Sequence, residues 1–139
     1  MMEKILIIIF LIFSSSPINA ELDPTSVSEM IEESDLIFHG KITKIIDDNI
    51  EVTIIQNVKG EFKKKKIVIE KFQDWMCASR YLPYKVGQQE LFFLQKNKKE
   101  NIWKIMGGGD EGEIPIINNL LYFNSAFSYY SQPTGTGVH

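Results

Sequence analysis

The stretch LIFHGKITKIIDDNIEVTIIQNV, Leu36 to Val58, decides the fold. β-branched residues dominate it, and apolar and polar side chains alternate on both sides of Asp47-Asp48-Asn49. Successive side chains of a strand point to opposite faces, so this alternation marks a half-buried sheet and the Asp-Asp-Asn cluster marks a turn. Leu36–Ile46 and Ile50–Val58 are therefore expected as a hairpin. Its second strand is expected to carry Ile50, Val52, Ile54 and Val58 on one face.

Working upstream, Ser26 precedes Val27-Ser28-Glu29-Met30-Ile31-Glu32-Glu33, and Glu29 stands three residues beyond it, the spacing of a capping box. Val27, Met30 and Ile31 share one helical face. A helix of about two turns is predicted, too short to hold without docking on the sheet. Downstream, Lys59-Gly60 ends the hairpin, and further strands are expected over Ile67–Phe72, Gln89–Gln95 and Ile102–Met106. A terminal hairpin, Ile114–Ile117 with Leu120–Phe123, follows, and Pro115 asks for an edge position because it has no N–H to donate. Five alternating strands and a short helix close most economically into a small barrel. The fold class is mainly β, with residues 21–123 forming the barrel domain and 124–139 a flexible tail without periodicity.

Residues 1–20 read as a cleaved signal peptide. Lys4 precedes nine uninterrupted apolar residues, Ile5–Phe13, and Ile18-Asn19-Ala20 offers a cleavage site after Ala20. A spanning helix needs about twenty apolar residues, so this run is too short for an anchor, and no later segment is apolar enough for an integral membrane span. A periplasmic or secreted product is expected. Cys77 is the single cysteine, so no intramolecular disulfide can form and a packed core must supply the stability. The chain of 139 residues has a formal net charge of −3, which gives no general reason to expect nucleic acid as a partner.

Candidate chemistry is sparse. Cys77 and His39 are a thiol and an imidazole that a thiol-dependent hydrolase would have to bring within hydrogen-bond reach; a packed thiol and a strand histidine are the plainer reading. Two histidines and one cysteine are too few for a zinc-type site, and no cofactor is expected. Asp110, Glu111 and Glu113 beside Gly107-Gly108-Gly109 lack the spacing of a calcium loop and read as a solvated turn. The run Lys63–Lys66 suits an anionic surface or polysaccharide, or else a charged strand end that guards against edge pairing. The segment from Phe72 to Tyr84 is the most informative. A connection this aromatic either folds back to plug the barrel end or presents Trp75, Arg80, Tyr81 and Tyr84 to a partner, and these residue types dominate binding hot spots.

Several motifs together carry a resemblance: Glu33-Ser34-Asp35-Leu36-Ile37-Phe38-His39-Gly40-Lys41-Ile42, then Val58-Lys59-Gly60, then Cys77, then Tyr84-Lys85-Val86-Gly87-Gln88 leading into Leu91-Phe92-Phe93-Leu94. Over about residues 26–106 the chain resembles the exported bacterial relatives of the netrin and tissue-inhibitor-of-metalloproteinases domain. The resemblance implies an oligonucleotide/oligosaccharide-binding (OB) type barrel. It does not carry the inhibitory mechanism with it, because the animal inhibitors chelate metal through an N-terminal cysteine and the mature chain would begin at Glu21. Cys77 falls where such relatives often have a cysteine with a partner, which this chain lacks. Motifs of this kind concern packing and turns and say little about activity. The expected function is a non-enzymatic exported module that recognises a protein or glycan through a barrel-rim loop, with Trp75, Arg80, Tyr81 and Tyr84 as the ligand-binding residues.

Overall fold

The computed structural model describes residues 25–75, 80, 82–108 and 111–122. The expected signal peptide and tail lie outside them. One helix, α1 (Val27–Glu33), is followed by β1 (Leu36–Ile46), β2 (Asn49–Lys59), β3 (Lys66–Glu70), β4 (Gln89–Asn97), β5 (Ile102–Ile105), β6 (Glu113–Ile117) and β7 (Leu120–Leu121). Strands β1-β2-β3-β5-β4 form a ring that β4 closes by pairing with β1. Neighbours in the ring are antiparallel except β3 and β5, which run parallel. This is the expected five-stranded OB-like barrel, with α1 and the β6–β7 hairpin added outside the ring.

Strand β4 explains how ring and hairpin coexist. Its first half, Gln89–Phe92, pairs with β6, and its second half, Leu94–Asn97, pairs with β5 along the same edge. Its other edge is held by β1 from Leu36↔Leu94 to Lys41↔Gln89. Both edges of β4 are thus paired, and its near-continuous apolar run asks for cover on both faces as well. Phe92 and Leu94 point inward to Leu36, Phe38, Ile42, Ile50, Val52, Ile67 and Ile69. The Phe38 and Phe92 rings stack across the strand pair at 5.3 Å. Phe93 points outward into a second cluster with Met30, Ile37, Met106 and Ile114. Burying each such side chain contributes roughly 1.5–3 kcal/mol, so a helix too short to stand alone is held by Met30, which is fully buried.

The ends of α1 are closed by side chains. The Glu29 N–H donates to Ser26 Oγ (3.3 Å), and the Ser26 N–H donates to Glu29 Oε2 (2.8 Å). At the other end Lys59 Nζ donates to the Ile31 and Glu32 carbonyls at 2.7 and 2.8 Å, a cation where the helix dipole is negative. Gly60, just after Lys59, has φ +80°, and a Cβ there would run into the Asp35 carbonyl oxygen. The Lys-Gly turn therefore needs its glycine on two counts.

Three expectations are corrected. Val58 is exposed and leaves the core face of β2. The β1–β2 register skips Ile55 and Val58, and each extra residue reverses the alternation beyond it. Pro115 is buried on a strand flanked by both β4 and β7, not on the edge. The Pro115 carbonyl accepts from the Tyr122 N–H, so its missing donor also faces the β7 side, where that short strand has ended. The ladder to β4 loses nothing. Third, Glu111 and Glu113 are buried rather than solvated, and Glu113 opens β6; Asp110 lies outside the described residues.

Candidate functional site

The described residues of the connection between β3 and β4 bring Tyr84 against the barrel core, and the strand alternation prepares its seat. Glu90 is in phase with Phe92 and Leu94, so its carboxylate points to the barrel interior, where it is fully buried. Glu113 pairs with Phe92 across β4–β6 and shares that face. Two carboxylates thus meet at the barrel mouth, an arrangement that burial permits only with charge and hydrogen-bond compensation.

Arg80 contributes the compensating charge. Its Nη2 donates to Glu90 Oε1 at 2.7 Å, and its Nε lies 3.4 Å from Glu113 Oε2. The Arg80 side chain is 6% exposed and both carboxylates 0%. The guanidinium carbon also lies 3.4 Å from the centre of the Tyr84 ring, a close approach that suits a planar, weakly hydrated cation. The Tyr84 hydroxyl donates to Glu113 Oε1 (2.8 Å) and accepts from the Phe72 N–H (2.8 Å), joining both ends of the loop to β6. The Arg80 N–H donates to Asp74 Oδ1 at 3.0 Å. Burial pulls the Arg80 pKa down, but Glu113 and Glu90 outweigh it and the net shift is upward. Burial, then the neighbouring Glu113, pushes the Tyr84 phenol far above its usual range, so it stays a donor.

Trp75 behaves differently. Its indole N–H donates to the Gly108 carbonyl at 2.7 Å, tying the loop to the β5–β6 connection, while the residue stays 49% exposed. Beyond Tyr84 the loop borders a groove of about 710 Å³ whose walls include Pro83, Lys85 and Val86 on one side and Ile116, Ile117 and Asn118 on the other. Of the four residues expected at the site, then, Arg80 and Tyr84 turn into the barrel mouth, Trp75 faces outward, and Tyr81 lies outside the described residues.

Sequence reasoning missed Glu90 and took Glu113 for part of a solvated turn. A signal existed for Glu90, a charge at a core-phase position of β4. Another existed for Arg80, the only arginine in a chain that otherwise uses lysine.

His39 sits on the outer side of β1 with its Nε2 2.8 Å from Gln89 Oε1; Cys77 lies outside the described residues. Among the described residues no group of three or more His, Cys, Asp or Glu side chains is placed to hold a metal ion, and no helix is long and apolar enough to cross a membrane. No family model, no curated protein and no solved structure matches the chain, so its chemistry is read from its own side chains.

Proposed function

We propose that this protein is an exported, non-enzymatic binding module that recognises a protein or glycan through the loop at the barrel mouth, with Trp75 as the contact residue. One observation carries the reading: a half-exposed indole is held in place by its own N–H while the loop behind it is pinned by a buried arginine. An aromatic side chain fixed before binding loses little freedom on contact, which is where affinity is gained. Arg80 and Tyr84 act in this reading as positioning residues that hold the loop's shape. The resemblance to exported relatives of the netrin and tissue-inhibitor-of-metalloproteinases domain supports a ligand-binding type of barrel; such barrels use the face of their second and third strands with the β1–β2 and β4–β5 loops, whereas here the β3–β4 loop takes that part.

The test is recovery of partners from envelope extract by wild type and Trp75→Ala side by side, together with their unfolding midpoints. Partner loss with the midpoint lowered only slightly is expected, because the indole is half in solvent and its one hydrogen bond is worth about 1 kcal/mol. Equal recovery by both proteins would remove the loop from the proposal.

A further inference from the structure

The outer face of β1-β2-β3 carries a different chemistry from the loop. The strand register sets Lys41, Thr53 and Lys66 in one row across the three strands, and Lys44, Glu51 and Val68 in the next. Lys63, Lys64 and Lys65 enter β3 at the end of the first row. All six lysines are exposed. The acids among them are Glu51, which Lys66 and Thr43 already engage at 2.9 Å each, Glu70, in phase with Lys66 and Val68 and 3.6 Å from Lys104 Nζ, and the exposed Glu61, fewer than the six lysines. The face is net positive on a chain whose net charge is −3. It is also not purely polar: Ile55 is 50% exposed and Val68 53%.

We propose that this face docks the protein onto an anionic phospholipid surface. Two features select that occupant over a soluble polyanion. Lysine is a flexible point charge suited to a fluid layer of phosphates, and the interleaved aliphatic side chains have a place only where the partner has an apolar layer beneath its charge. The arrangement is peripheral. The lysines supply attraction at a distance, and Ile55 and Val68 enter the headgroup boundary.

Each lysine near a charged leaflet changes partitioning about five-fold, so three together change it about a hundred-fold. The experiment is co-sedimentation of the chain from Glu21 onward, free of the expected signal peptide, with vesicles of phosphatidylcholine containing roughly one-third phosphatidylglycerol, and with pure phosphatidylcholine. Binding to the anionic vesicles and not to the neutral ones is expected. The triple variant Lys63→Gln, Lys64→Gln, Lys65→Gln should lose about two orders of magnitude. Raising salt from ~0.1 M to ~1 M shortens the screening length from about 10 Å to about 3 Å and should weaken wild type strongly. The double variant Ile55→Thr, Val68→Thr, which preserves β propensity, should bind the anionic vesicles more weakly while keeping its unfolding midpoint. Absence of wild-type binding, or equal binding by the triple variant, would overturn the proposal. So would indifference to the aliphatic substitutions combined with full displacement by heparin, which would assign the face to a soluble polyanion instead.

Discussion

Replacing Arg80 by methionine keeps the length of the side chain and removes its charge. Two carboxylates then remain inside the barrel mouth without the cation that sits 2.7 Å from one and 3.4 Å from the other. Taking away one partner of a buried ion pair costs about 3–5 kcal/mol, because the other charge is left desolvated. The value belongs at the upper part of that range here, since the guanidinium is 6% exposed, serves two carboxylates and lies against the Tyr84 ring. For a domain of this size each kcal/mol shifts the melting temperature by about 4–8 °C, so a loss of about 4–5 kcal/mol should make Arg80→Met melt about 16–40 °C lower at neutral pH. The assay is thermal and urea unfolding followed by circular dichroism. The deficit should shrink in mild acid, where a stranded carboxyl enters the fold neutral. Adding Glu113→Gln to Arg80→Met should return part of the loss. A melting temperature within a few degrees of wild type at neutral pH, with no narrowing in acid, would refute the idea that this cluster holds the loop.

Tyr84→Phe should alter the alkaline limb of stability. The phenol's folded pKa is raised above the ordinary 10.0, so between the two values the unfolded chain releases a proton that the native state keeps. Stability from this group is complete below about pH 10 and falls by about 1.4 kcal/mol per pH unit above it; unfolding midpoints followed into that range should decline less steeply in the variant. Gly40→Ala should destabilise the barrel by about 1–3 kcal/mol, read by urea midpoint. The added methyl would stand 2.5 Å from Val52 Cγ1 and 2.7 Å from the Phe38 ring, both in the core.

The elements of this fold were legible because each is announced by local chemistry. Ser26 and Glu29 mark the start of α1, and Leu36–Ile46 shows its alternation without any partner being known. Where a partner alters the count, the sequence misleads. Val58 left the core because two residues of β2 have no counterpart on β1, and a bulge is a property of a pair of strands. The acidic segment misled for a related reason. Glu113 looks like turn chemistry beside glycines, but its burial follows from pairing with Phe92, twenty-one residues earlier in the chain.

The amino-acid sequence by itself determined a small β barrel with a docked helix, because side-chain period and capping act between near neighbours. Tertiary structure decided how the loop at the barrel mouth is held. Arg80, Tyr84, Glu90 and Glu113 come from a loop and two strands, and only closure of the ring brings them within hydrogen-bond distance. Their charges are affordable in the interior only together, a condition that no one of the segments carries. The same closure leaves Trp75 outside, and it aligns lysines from separate strands on one face.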